Sequence, residues 1–182
     1  MDAAVIAYRA LIATLVVTIA CALAPVRVQS AEAPELQVRA AFLFNLARFV
    51  NWPQDKVPDP SSPITICVAG EPDFASTVRD TIQGKSVGAH ALTMHIPASA
   101  SELARCQIAY IGEDTSLKEM LTAASGHHVL TVHSAATAQP GGVVRLYLDE
   151  RRIRFEVNTG AASREQLQLS SKLLSLAQLV NL

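Results

Sequence analysis

Three short apolar runs, separated by helical stretches, constrain this chain more than any other feature. Ile64–Ala69 (ITICVA), residues 107–111 (QIAYI) and residues 128–132 (HVLTV) are nearly continuous in apolar side chains. Runs of this kind belong to strands covered on both faces, the environment of a parallel sheet. Helical patterns follow two of them, at 72–83 with a proline in the first turn and at 115–124. Residues 91–96 (ALTMHI) alternate instead, placing Leu92, Met94 and Ile96 on one side, as an edge strand does. The alternation predicts an α/β fold of three layers, a mainly parallel sheet of about five to six strands with helices on both faces.

The last third departs from that rhythm. Residues 143–148 (VVRLYL) and 153–158 (IRFEVN) alternate at period two about 149–152 (DERR). They predict a C-terminal antiparallel hairpin, although the turn lacks an Asn-Gly signal. On its second strand Ile153, Phe155 and Val157 face one way, and Arg152, Arg154, Glu156 and Asn158 the other. A final helix over 171–180 aligns Leu173, Leu176, Ala177 and Val180, with Ser170 as its N-cap. Ahead of the sheet, residues 35–52 (ELQVRAAFLFNLARFVNW) read as a helix. Its apolar positions nearly encircle it and predict burial of most of its surface. Asn45, Arg48 and Asn51 are the polar exceptions on one face, and Trp52-Pro53 ends the helix. Residues 57–63 (VPDPSSP) form a loop.

Arg9 precedes an uncharged run, residues 10–24, that is shorter than the ~20 apolar residues of a permanent span. A positive start, an apolar core and small residues around 28–31 form the pattern of an export signal over residues 1–30. One domain over 35–182 then remains, working outside the cytoplasm. Cys21 ends the apolar core where a lipid-modified cysteine stands, but Thr18-Ile19-Ala20 lacks the usual leucine and small-residue pair, which argues against lipid anchoring.

The chain carries 15 basic and 16 acidic side chains, and removing the signal leaves 13 against 15 with no basic run. That argues against nucleic acid as a partner, because phosphate neutralisation needs clustered Lys and Arg. Outside the signal the cysteines are Cys67 and Cys106. In an oxidising compartment an isolated pair reads first as a disulfide, with two buried free thiols as the alternative.

The common catalytic signatures are missing, and Gly141-Gly142 precedes a strand rather than opening a helix, so it supplies a turn and not a dinucleotide loop. Ligands of open α/β sheets sit beyond the carboxyl ends of the parallel strands. There this chain places Glu71, Asp73, Glu113 and Asp114, which oppose a phosphate and read best as acids near helix N-termini. The five histidines show no spacing that gathers three, so no metal or other cofactor is expected, and solvated histidines at strand ends are the default. The candidate binding residues are Asn45 and Arg48, polar on an apolar helix, and Arg152, Arg154 and Glu156. The arginine forks of that hairpin face suit an anion or a partner's acids.

Residues 38–53 (VRAAFLFNLARFVNWP), Val68-Ala69-Gly70, the Cys106 approach to 107–112, Val129-Leu130-Thr131-Val132, Gly141-Gly142, 153–158 (IRFEVN) and 170–177 (SSKLLSLA) together resemble the YfiR family, in the right order over nearly the whole domain. The resemblance implies a periplasmic, dimeric, non-catalytic protein that inhibits a membrane-bound diguanylate cyclase through its periplasmic sensor domain. Cyclic di-GMP and biofilm formation would fall as a result. It also implies an outer-membrane lipoprotein as a second partner, and a small nucleotide-like or aromatic ligand. Cys67 and Cys106 fit a bridge of the family, whereas a second cysteine pair found in some relatives is missing. The competing expectation is a periplasmic sensor of a small ligand that feeds a histidine kinase or an outer-membrane transporter.

Overall fold

The computed structural model describes residues 32–134, 141–150 and 152–181. The expected export signal and Cys21 lie outside them. None of the described helices is long and apolar enough to cross a membrane.

Helix α1 spans Glu32–Phe49 and is followed directly by β1, Val50–Asn51. The helix ends three residues before the expected boundary because Val50 and Asn51 pair antiparallel with Leu169 and Gln168 of β9, Gln168–Leu169. It is also buried on one side only. Ala40, Leu43, Leu46 and Ala47 form a single sealed stripe. Phe42, Phe44 and Phe49 flank it half-buried, and Asn45 and Arg48 reach solvent. The aromatic flanks make the sequence look apolar all round, although one stripe does the packing.

The chain continues through β2 (Ile64–Ala69), α2 (Pro72–Ile82), β3 (Ser86–Val87), β4 (His90–His95), a 3-10 helix (Ala100–Arg105), β5 (Ile108–Ile111), α3 (Leu117–Ala124) and β6 (Leu130–Ser134). The remainder is β7 (Val144–Asp149), β8 (Arg152–Asn158), α4 (Thr159–Arg164), β9, α5 (Ser171–Leu174) and β10 (Gln178–Val180). The main sheet has eight strands among the described residues, in the order β10-β8-β7-β6-β5-β2-β4-β3. From β4 to β7 every pairing is parallel. β7 and β8 form the expected antiparallel hairpin, with Arg145 opposite Glu156.

Two additions raise the strand count above five to six. Short β3 pairs with Ala91 and His90, so β4 is not the edge. The expected helix over 171–180 stops at Leu174, and Gln178–Val180 adds to β8 as a parallel strand. Ser170 does cap the helical turn, accepting a hydrogen bond from the Leu173 amide. The third buried strand begins at Leu130 rather than at residue 128, because His128 turns through a positive φ of 56°.

Side chains alternate between two cores. Ile66, Val68, Ile108, Tyr110, Leu130 and Val132 face α1 and α2, whose Leu43, Leu46, Phe74 and Val78 complete the larger core. Cys67, Ala109 and Val129 point the opposite way and meet Leu103, Cys106 and Ala124 from the 3-10 helix and α3. A disulfide joins Cys67 to Cys106 there, with 5.9 Å between their Cα atoms. Helices therefore cover both faces, and the three-layer reading holds.

Candidate functional site

The order of the parallel strands reverses at β2. The chain steps outward from β2 to β4 and then returns across β2 to β5. Ligands of open α/β sheets favour the crevice at such a reversal. Here the crevice is filled from within. Gly70 leaves β2 with a φ of 84°, a conformation that disfavours any side chain. At the end of β5, a Cβ on Gly112 would lie 2.8 Å from the Ala69 carbonyl oxygen and 2.7 Å from Glu71 Cγ. Glycine at both places lets the two loops meet, and the Gly112 amide donates to the Ala69 carbonyl at 2.8 Å.

Glu71 thereby reaches Tyr110 and Arg39. The Tyr110 hydroxyl donates to Glu71 Oε1 at 2.8 Å, and Arg39 donates to Glu71 Oε2 at 2.7 Å and to the Tyr110 hydroxyl. The guanidinium carbon lies 4.6 Å from the Phe74 ring centre, and Phe74 and Tyr110 stack at 4.5 Å. Burial works against the Arg39 charge, but Tyr110 and Glu71 outweigh it and raise the guanidinium above its ordinary pKa. Burial likewise pushes the Tyr110 phenol up. Arg39 therefore stays cationic and Tyr110 neutral. Arg39 Nε is sealed from solvent and has no hydrogen-bond partner among the described residues.

Beside this plug lies an open cavity of about 470 Å³, within the size range of small-molecule sites. β7 pairs with β6 at Ser134, opposite Leu146, and with β8 as far as the Asp149–Arg152 pair. This hairpin forms one wall, through Arg145, Leu146, Tyr147, Leu148 and Ile153. Glu35 and Arg39 of α1, Glu113 and Ser134 complete the lining. Arg145 donates across the hairpin to Glu156 at 2.8 Å. Glu35 and Glu113 have neither an ion-pair nor a hydrogen-bond partner among the described residues.

The residues singled out from sequence are dispersed. Asn45 is exposed. Arg48 borders a smaller cavity of about 180 Å³ with Asn51, Trp52 and His90. Arg152 is exposed, and Arg154 lies 3.6 Å from Asp149 with both side chains half in solvent. Glu156 is the member of the set that touches the main cavity's lining, by holding Arg145. Asn158 is not on a wet face: it is 6% exposed, and its side chain caps α4 by accepting from the Ala161 amide.

The histidines also differ from expectation. His133 is buried, with its ring nitrogens 2.7 Å from the Gly141 carbonyl oxygen and 3.1 Å from that of Ser134. His128 sits in a turn, its Nδ1 2.9 Å from the Glu165 carbonyl oxygen. Among the described residues no three His, Cys, Asp or Glu side chains are placed to hold a metal ion.

Arg39, Glu35, Arg145 and Tyr147 were missed by sequence reasoning. Arg39 carried one usable signal, a cation within the apolar stretch of α1, as Arg48 is. Glu71 and Glu113 were seen at the strand ends but assigned to helix dipoles.

No curated protein matches the chain. A solved structure of a conserved domain protein from Vibrio cholerae is similar in fold, with a TM-score of 0.51 at 11% identity over 79% of this chain. This chain spans 59% of the length of that protein. The ABC domain in complex with L-Trp from Streptococcus pneumonia gives a TM-score of 0.43 at 10% identity, covering 64% of this chain and 54% of its own, too slight a likeness to carry an argument. The family model described as YfiR/HmsC-like matches residues 36–178, the whole span from the first turns of α1 to the start of β10, and the chain belongs to that family.

Proposed function

We propose that the protein is a periplasmic, non-catalytic signalling regulator. It binds the periplasmic sensor domain of an inner-membrane diguanylate cyclase and holds that enzyme inactive, which lowers cyclic di-GMP and biofilm formation. The observation that carries this reading is the match of the YfiR/HmsC-like family model across essentially the whole domain. An outer-membrane lipoprotein that sequesters the regulator, and a homodimeric state, belong to the same reading. Deleting the gene in a strain that retains its cyclases should raise cellular cyclic di-GMP several-fold. Restoring the chain with its first 30 residues, but not without them, should reverse the rise. Unchanged cyclic di-GMP after deletion would count against the cyclase as target.

The 470 Å³ cavity favours a second reading, a sensor of a small ligand that reports to another envelope receptor. A ligand that binds only the folded protein raises its melting temperature in proportion to ln(1 + [L]/Kd). A thermal-shift screen in which no small molecule stabilises the protein would remove this reading and leave the first untouched.

A further inference from the structure

We propose that the cavity at the ends of β5, β6 and β7 is a binding site for a small organic cation, a protonated amine carried on an apolar body. The inference rests on the ligand-sensor reading and adds the class of ligand.

Charge decides the class. Among the described residues both guanidiniums on the lining already hold a carboxylate, Arg39 that of Glu71 and Arg145 that of Glu156. The Glu71 and Glu156 side chains are only 20% and 14% exposed, so an anion that drew either arginine away would leave a largely desolvated carboxylate unpaired. Arg39 Nε, sealed from solvent, is closed to a ligand oxygen as well. Among the described residues the lining charges left without a partner are both negative, Glu35 and Glu113. The dipole of α1 favours an acid at Glu35 in its first turn, but Glu113 lies outside any helix, four residues ahead of α3.

The rest of the lining decides the body. Leu146, Leu148 and Ile153 present apolar surface, with Leu148 58% exposed, and Tyr147 adds an aromatic ring. Apolar surface beside a few placed polar groups is the usual make-up of a small-molecule site. A bare metal ion leaves that wall unused, and no three-ligand set is present among the described residues. A charge-assisted hydrogen bond from an ammonium to Glu35 or Glu113, with hydrocarbon against the β7–β8 hairpin, satisfies both halves.

The test uses three probes of similar size and different charge on the purified protein: phenethylamine, 2-phenylethanol and 3-phenylpropanoate. Calorimetry should rank the amine tightest, by about tenfold over either of the others, the ratio that 1.4 kcal/mol provides. Glu35→Gln and Glu113→Gln should each cut amine affinity about fivefold to tenfold while leaving alcohol binding unchanged. Added salt should weaken amine binding and spare the alcohol, a readout that needs no variant. Equal affinity for the three probes, or tighter binding of the propanoate, overturns the cation while leaving the cavity a ligand site. Binding of none overturns the inference, and the wider thermal-shift screen then decides the ligand-sensor reading separately.

Discussion

The two faces of the sheet are held by different means. On the α1/α2 face a continuous apolar core runs from Leu43 and Leu46 through Phe74 and Val78 to the inward side chains of β2, β5 and β6. On the other face Leu103, Ala109, Ala124 and Val129 provide far less buried hydrocarbon, and the disulfide joins the 3-10 helix to β2. Burial of apolar area contributes roughly 25 cal/mol per Å², so the first face holds itself together. The second relies on a cross-link that lowers the entropy of the unfolded chain. A thin layer can thus be fixed by one covalent bond where side chains are too few.

Removing the centre of the thick face should have the largest effect. Phe74 is fully buried, stacks on Tyr110 and lies beneath the Arg39 guanidinium. Phe74→Ala should cost about 3–5 kcal/mol in denaturant unfolding. A loss below 1 kcal/mol would mean that the thick face is not the source of stability. Next comes the bridge itself. It spans 39 residues, and Cys67→Ala with Cys106→Ala should cost about 2–4 kcal/mol. Hydrogen exchange should then accelerate first in Ala100–Arg105, ahead of α1 and α2. Equal loosening of both faces would break the comparison.

Leu103→Ala, the thin-face counterpart of Phe74→Ala, should cost about 2–3 kcal/mol, at the low end for a buried leucine. The pendant test is smaller still. Glu102, on the 3-10 helix, is held below the usual carboxylate range by the hydrogen bond from His95, 2.7 Å away, and by the Ala98 amide. A carboxylate depressed in the folded state stabilises above its ordinary pKa, and that contribution is lost as pH falls through the lowered value. His95→Ala should raise the Glu102 midpoint toward the ordinary range in an NMR titration, whereas an unmoved midpoint would show that His95 does not hold this helix.

Much of this architecture is legible in the sequence where burial is two-sided. Ile64–Ala69 reads directly as a strand because both its faces are covered, and the β7–β8 hairpin reads from strict alternation. Short elements are not legible. The 3-10 helix and α4 are six residues each, too short for a period to show. The stripe at Leu173, Leu176, Ala177 and Val180 fits a helix, yet the chain needs only one turn there before the open edge of β8 recruits its backbone. The site is hidden for a different reason. Arg39 meets partners 32 and 71 residues away, and Arg145 meets Glu156 only through the register of the hairpin. Arg152 and Arg154 catch the eye as a basic face, whereas the hairpin arginine that lines the cavity, Arg145, stands alone on the neighbouring strand.

The placement of the bridge also sets a timescale. Cys67 is fully buried and Cys106 is 1% exposed, so a thiolate has no path to either sulfur while the 3-10 helix stays docked. Reduction therefore waits for an opening event, and its rate reports how often the thin layer lifts rather than how reducing the surroundings are. A bond placed this way behaves as a timer on local unfolding, one that reductant concentration stops influencing once the opening itself becomes the slow step.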